Sequence, residues 1–319
     1  KTDISTASET SCDLCGGTDF TILSTTDRHA QPLQSGLCSG CGLVMHLPVP
    51  SEDEVAEYYA SRYRRDYHGE RIPNPRRVMR AWNNGERIHA LLAPYLEGGE
   101  SIFEIGAGIG CTVKVFETHG HQAAGIEPNR DFNSYSRQQL HADIANTNLY
   151  DLQDAESANL MLLIHVIEHF SSPRRALKHI HSLLADNGLF YVECPNLSGP
   201  FATLDRMFHY AHIYNFTPET LQALARECGF TPLATFSHDD SPDIHILFRK
   251  AKAESAVGEL VEYAQQVQQS VQRHNALTYH LRPIYLIRRL RKLCSYLVEA
   301  ISAKSFVRRL LARLKKESK

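Results

Sequence analysis

Three groups of residues in this 319-residue chain have types and spacings suited to chemistry. The first is a pair of cysteine knuckles, Cys12-Asp-Leu-Cys15 and Cys38-Ser-Gly-Cys41, with 22 residues between them. Four thiolates so spaced make a closed tetrahedral zinc site, and Gly16 and Gly42 let the backbone fold under the ion. Two disulfides or a redox pair are the other readings. The remaining cysteines (Cys111, Cys194, Cys228, Cys294) are scattered, as free thiols in a reducing compartment would be, and this favours structural zinc. His29 and His46 can replace a thiolate in principle, but with four cysteines available they are expected to stand by. Such a site has no open position, so its expected work is to fold a module too small to build its own core.

The second group is Glu104-Ile-Gly106-Ala-Gly108-Ile-Gly110. Glycines at alternate positions after an apolar run form a loop that a ligand can approach closely, and a helix starting near Thr112 aims its N–H groups back at it. Glu127, 17 residues after Gly110, closes the next apolar run and is placed to accept the two hydroxyls of a ribose. A bare strand-to-helix turn is the alternative. A dinucleotide fingerprint would need its third glycine at Cys111; here it stands at Gly110. The third group is imidazole: His165-Val-Ile-Glu168-His169, and further on Phe208-His209-Tyr-Ala211-His212. A histidine tuned near neutrality can take a proton from a weak nucleophile. Each of these histidines can equally be a satisfied packing residue.

Several elements must position these groups. Phe20–Leu23 reads as a ribbon strand. Ser51-Glu-Asp-Glu54 is a capping box that opens a helix. The tyrosines and arginines of 58–67 suit either a lid over a cofactor or a packing layer. Val78 to Leu92 carries apolar residues at helical spacing. Strands are expected at Ile102–Ile105, Gln122–Glu127, Leu140–Ile144 with Asp143 at its end, Asn159–Ile164 and Leu189–Glu193. Two closing strands are expected at Thr231–Phe236 and Asp243–Arg249. Helices are expected at Thr112–Thr118, Arg174–Leu184 and Leu221–Cys228, the last capped by Thr217-Pro-Glu-Thr220. Strands alternating with helices, with acids and glycines at the strand ends, describe an α/β, doubly wound Rossmann-like sheet of seven strands. An N-terminal zinc ribbon and a C-terminal helical extension flank it. The expected divisions are 1–50 zinc ribbon, 51–97 helical linker or lid, 98–250 core and 251–319 extension.

The core resembles the class I S-adenosylmethionine (SAM) dependent methyltransferases. Glu104–Gly110 looks like their first motif and Glu127-Pro-Asn129 like their second. His165–His169, Gly188–Asn196 and Phe216–Phe230 fit one large subgroup. The resemblance spans roughly 98–250 with five matches in order. It implies that Gly106, Gly108 and Gly110 pass under SAM, that Glu104 lies near its methionine amino end and that Glu127 takes the ribose diol. Asn129 and Asp143 are candidates for the ribose and adenine surroundings, and His165 for the floor of the site. A ribbon fused ahead of such a core is similar to sugar methyltransferases, including C-methyltransferases of deoxysugar pathways. Those carry an acid–histidine pair in the insertion after the fifth strand. Here His212 matches the histidine, but Ala211 stands where the acid would be, and the long C-terminal domain of that group is expected to be lacking. The expectation is therefore O-methylation of a sugar or surface-glycan intermediate, with His212 as general base, His169 orienting the acceptor and Glu168 structural. The alternatives are a deoxysugar C-methyltransferase, an RNA methyltransferase and a non-catalytic assembly protein.

Composition narrows the partners. Charged residues are 22% and net charge is −2, which excludes a generic polyanion binder. From Arg282 to Lys319 there are twelve Lys/Arg against two Glu, so the rest of the chain is distinctly acidic. With no basic run in residues 1–50, nucleic acid is disfavoured as a partner. The sequence shows no run of ~20 apolar residues and a polar start, so a cytoplasmic location is expected. Val257, Leu260, Val261, Ala264, Val267 and Val271 form a stripe expected to seek a partner helix. The basic amphipathic tail suits self-association, a glycosyltransferase partner, the inner face of a membrane, or packing on its own body.

Overall fold

The computed structural model describes residues 10–61, 72–152, 157–199, 202–238, 241–255, 260–272 and 279–317. The chain begins with a ribbon, β1 (Phe20–Thr26), β2 (Pro32–Cys38) and β3 (Val44–His46), followed by α1 (Glu52–Ser61) and α2 (Pro75–Leu92). The core then alternates: β4 (Ser101–Ile105), α3 (Cys111–Thr118), β5 (Gln122–Ile126), α4 (Arg130–Tyr135), β6 (Asp143–Ala145), β7 (Ala158–Ile164), α5 (Pro173–Leu183) and β8 (Leu184–Pro195). After an insertion carrying α6 (Leu204–Met207) and β9 (Tyr214–Asn215) come α7 (Pro218–Glu227), β10 (Phe230–Thr235) and β11 (Asp243–Lys250). The C-terminal elements are α8 (Tyr263–Gln272) and α9 (Pro283–Glu317). Of the tyrosine–arginine segment 58–67, residues 62–67 lie outside the described residues, and so does Val257 of the apolar stripe.

The seven-stranded sheet runs β10-β11-β8-β7-β4-β5-β6. β4 pairs in parallel with both β5 and β7, and only the β11 pairings with β8 and β10 are antiparallel. The chain thus starts in the middle of the sheet, winds outward to β6, then crosses back to β7. That reversal puts the carboxyl ends of β4, β5 and β7 side by side, where a doubly wound sheet binds its ligand. The central strands are apolar on both faces because helices cover both: Leu160, Met161, Leu162 and Leu163 are all buried. The expected caps form. Ser51 and Glu54 exchange hydrogen bonds at 2.8 and 3.2 Å, and Thr217 and Thr220 do the same at α7.

Three expectations change. First, Asp143 opens its strand instead of closing it. Residues 136–140 form a π-turn and His141 adopts a left-handed φ of 52°, so the chain turns into the sheet later than its apolar pattern suggests. Second, the ribbon does not stand alone. Its sheet has the order β1-β2-β3-β9, so residues from the insertion after β8 complete it, with His46 N–H donating to Ile213 O at 2.9 Å. The cysteine knuckle also caps α5: Asp13 accepts from Ser172 Oγ at 2.8 Å and from Arg174 N–H at 2.7 Å. Third, the stripe on α8 meets the ribbon sheet. Ala264, Val267 and Val271 pack on Leu37 and Val44, and a Cβ on Gly42 would stand 3.2 Å from Ala264 Cα.

The tail is one helix, α9. Its C-terminal part lies on α2, with Leu310 and Leu314 packed against Val78 and Trp82, and Arg80 pairs with Glu299. Its first half leaves Leu286, Ile287, Leu290, Leu293 and Leu297 exposed. Among the described residues, no helix is long and apolar enough to cross a membrane.

His46, on β3, is 1% exposed; its Nε2 has no hydrogen-bond partner and its Nδ1 is 3.5 Å from Ser35 Oγ. Burial pushes the imidazole down to about 4. The unfolded chain, with an ordinary histidine, binds the proton first, so stability is lost as pH falls from about 6.5 towards 4. At ~1.4 kcal/mol per unit, the loss attributable to His46 at pH 5 is about 2 kcal/mol. Urea unfolding of wild type and His46→Leu at pH 7 and pH 5 checks this. The variant is expected to lose less stability between the two pH values.

Candidate functional site

The glycine loop follows β4 and has the left-handed backbone its sequence requires. Gly106, Gly108 and Gly110 have φ of 71°, 54° and 75°. A Cβ on Gly106 would meet Val166 Cγ2 at 2.6 Å, and one on Gly110 would meet Ser136 Cβ at 2.7 Å, whereas at Gly108 nothing lies within 4 Å. The loop is therefore walled on two sides and open in the middle. Glu127 ties it to β5: its carboxylate accepts Gly108 N–H at 2.8 Å and Asn129 N–H at 2.7 Å. Burial raises Glu127, against these two hydrogen bonds. Each carboxylate oxygen keeps acceptor capacity for a further donor. Glu104 lies beneath at 4% exposure, with Oε2 unpartnered. Burial, helped by the charge of Glu127, pushes Glu104 up to about 8. A buried acid so placed can receive a cationic group. Open backbone, a carboxylate at the end of the second strand and an orphaned buried oxygen fit a nucleoside bearing an ammonium group, as SAM does.

Two further candidates from this group lie on neighbouring elements. Asn129 Oδ1 caps α4, accepting from the N–H groups of Asp131 and Phe132 at 3.1 Å. Asp143, exposed, pairs across to Ala124, two residues before the carboxyl end of β5. The residue that follows β6 is Asn146, whose Nδ2 donates to Glu127 O at 2.9 Å and Pro128 O at 3.0 Å. Sequence reasoning missed Asn146 because the strand begins later than its pattern suggests.

The imidazoles gather one loop away. His165 follows β7 with a φ of 53°, the strained backbone often found at working sites. Its ring lies between Glu168 Oε1 at 3.6 Å and Glu193 Oε1 at 3.4 Å. Burial disfavours its charge, but these two carboxylates prevail and raise it to about 10, so it is cationic near neutrality. Glu193 is itself held by Arg87 at 2.5 Å and Tyr191 OH at 3.1 Å. Val166 touches the Gly106 site, so the glycine loop and the histidine segment share a wall. His169 ends a 3-10 turn and donates Nδ1–H to Ala211 O at 2.5 Å. His212 comes from the insertion, with Nε2 3.9 Å from Glu168 Oε1. Burial, then His209 and His169, hold His212 well below its ordinary range, so it is neutral with a lone pair available. Glu168, for which a structural role is expected, lies at 1% exposure among His165, His169 and His212. The structure thus brings His165, His169 and His212 together around a carboxylate, beside the glycine loop.

The four cysteines of the ribbon converge. Cys12 and Cys41 Sγ are 3.5 Å apart, Cys15 and Cys38 Sγ 3.4 Å, and all four lie within 4.8 Å of one another. A tetrahedral ion with ~2.3 Å bonds needs sulfurs about 3.8 Å apart, so the donor set fits zinc. Gly16 and Gly42 take φ of 75° and 79°, as the knuckles demand. His29 and His46 lie outside this cluster.

A family model described as a methyltransferase domain matches residues 70–235. That is just over half of the chain, which belongs to this family and is a SAM-dependent methyltransferase. Among solved structures, it is similar to the 1,6-didemethyltoxoflavin-N1-methyltransferase of Burkholderia thailandensis. The two share 20% identity over 66% of this chain and 96% of that one, with a TM-score of 0.50. It is also similar to the magnesium protoporphyrin IX methyltransferase of Synechocystis PCC 6803, at 14% identity over 63% of this chain and 100% of that one, with a TM-score of 0.47. No curated protein sequence matches the chain.

Proposed function

We propose that this methyltransferase O-methylates a sugar, nucleotide-sugar or glycan intermediate, and that its N-terminal ribbon is held by structural zinc on Cys12, Cys15, Cys38 and Cys41. The observation that carries the reading is the convergence of His169, His212 and Glu168 beside the glycine loop, joined to it through Val166. In this reading Gly106, Gly108 and Gly110 hold SAM by their backbone, Glu127 takes the ribose hydroxyls, Glu104 receives the amino group and Asn129 shapes the ribose side as a helix cap. Asp143 and His165 edge the cofactor. SAM supplies an activated methyl group, so the protein has mainly to align the acceptor and manage one proton. His212, neutral, accepts the hydroxyl proton as attack proceeds, and the Glu168 carboxylate steadies the imidazolium that forms. His169 is fixed by Ala211 O and orients the acceptor. The sugar assignment rests on the likeness of a ribbon-fronted core to sugar methyltransferases.

One observation favours C-methylation as a second reading. The acid missing at Ala211 is supplied in space by Glu168, so an acid–histidine pair exists after all. The test is methyl transfer from SAM to a panel of nucleotide-sugars, glycans and RNA, with NMR of the product. The expected result is a new O–CH3 on a sugar, reduced roughly a hundredfold in kcat by His212→Ala. A C–CH3 product would install the second reading, and methylated RNA would overturn both. The divisions 1–50, 51–97, 98–250 and 251–319 are proposed as working units. The exposed apolar stripe and basic residues of α9 suit a second copy, a glycosyltransferase or an anionic membrane face at the cytoplasmic side.

A further inference from the structure

Glu168 poses a problem of physical chemistry that the proposed acid–base roles do not solve. Its carboxylate is 1% exposed, and neither oxygen has a hydrogen-bond partner. Three imidazole nitrogens face Oε1, at 3.6 Å (His165 Nδ1), 3.9 Å (His169 Nε2) and 3.9 Å (His212 Nε2), all beyond hydrogen-bond length. A buried carboxylate without hydrogen bonds costs several kcal/mol, and the His165 cation at 3.6 Å offsets that cost without making a hydrogen bond.

The tautomer of His169 sharpens the point. Ala211 O can only accept, so the 2.5 Å contact requires the proton on Nδ1. In that tautomer the lone pair is on Nε2, the atom that faces Glu168. A backbone carbonyl fixing one ring nitrogen while the other faces inward is the arrangement that prepares a histidine for a metal. His212 also presents Nε2 to the same oxygen, and the three donor atoms lie within 4.8 Å of one another. A cation with bonds of ~2.1 Å holds neighbouring donors about 3 Å apart, so side-chain rotation over roughly an ångström closes the shell.

The geometry points to a divalent first-row cation held by one Glu168 oxygen, His169 Nε2 and His212 Nε2, its remaining positions open towards the acceptor. Two imidazoles and one carboxylate suit Mn2+, Fe2+, Co2+ or Zn2+ and leave room for a hydroxyl, or two adjacent hydroxyls, of the substrate. This rests on the reading that the pocket takes an oxygen acceptor, and it changes who makes that oxygen reactive. The cation lowers the pKa of the bound hydroxyl, whose proton passes to water; the O–CH3 bond forms as the S–CH3 bond breaks, and the electron pair of that bond stays on sulfur. His169 and His212 then act as ligands, and the site prefers a vicinal diol to a lone hydroxyl.

The test is Mn2+ titration of the full chain after dialysis against EDTA, with metal analysis to follow the ribbon zinc. Free Mn2+ is read by its electron paramagnetic resonance signal, without SAM or acceptor. Wild type is expected to bind a single Mn2+, and Glu168→Gln and His212→Asn to weaken it at least tenfold. Thermal melts establish that each variant is folded. Co2+ titrated into wild type should give visible absorption bands that Glu168→Gln abolishes. Absence of Mn2+ and Co2+ binding in wild type overturns the proposal, as does binding that neither variant alters. If methyl transfer to sugars persists in EDTA with no cation bound, the imidazole-base reading survives and the cation does not. If the cation binds but no sugar is methylated, the site stands and the sugar reading falls.

Discussion

Removing the proposed zinc, by a strong chelator or by Cys38→Ser, is expected to abolish methyl transfer while leaving much of the SAM site intact. Structural zinc contributes on the order of 10 kcal/mol to the folding of a small ribbon, far more than a sheet of this size gains by itself. The ribbon is wired to the imidazole pocket in two places. β3 pairs with β9, two residues after His212, and Asp13 inside the first knuckle caps α5, four residues after His169. Loss of the ion releases both attachments, so His169 and His212 lose their common frame. The glycine loop, by contrast, is built by β4, β5 and β7. Turnover is expected to fall at least a hundredfold, with SAM affinity changing less than about tenfold, because local unfolding need not spread to the sheet. Radiolabelled methyl transfer and SAM calorimetry on the same preparations check both halves. Equal loss of both would mean that the ribbon is part of the core's folding unit.

Glu127→Ala is expected to weaken SAM binding roughly a hundredfold. Two effects add. The ribose loses a charged acceptor, and hydrogen bonds to charged groups contribute ~1.5–3 kcal/mol each. The Gly108 and Asn129 N–H groups lose the carboxylate that now holds them, so the open middle of the loop is no longer fixed. Together these come to about 3 kcal/mol. Glu127→Gln should fall between: its amide oxygen can hold one N–H, but its NH2 opposes the other. Calorimetric titration with SAM reads the series directly.

Features of the molecule that depend on neighbouring residues are readable in the sequence. The φ values of the glycine loop, the Ser51–Glu54 and Thr217–Thr220 caps and the alternation of strands and helices follow from local spacing. The packing partner of an apolar stripe does not: Ala264, Val267 and Val271 have the same period whether they face a helix or a sheet, and the structure puts them on the ribbon sheet. The start of β6 was obscured by a π-turn that no residue type announces. The setting of Glu168 was the least legible. It depends on an insertion 42 residues beyond His169 folding back so that Ala211 O meets His169 and His212 meets Glu168. In the chain Ala211 and Ile213 flank His212, whereas the fold brings an acid to it from the turn after β7.

The central claim is that one side of this site holds the cofactor and the other holds the acceptor. It is tested most directly by titrating SAM calorimetrically into wild type, Glu127→Ala and His212→Ala under one buffer. The account predicts that Glu127→Ala loses affinity roughly a hundredfold, while His212→Ala binds SAM within about threefold of wild type. Unchanged affinity in Glu127→Ala, or a comparable loss in both variants, would contradict it.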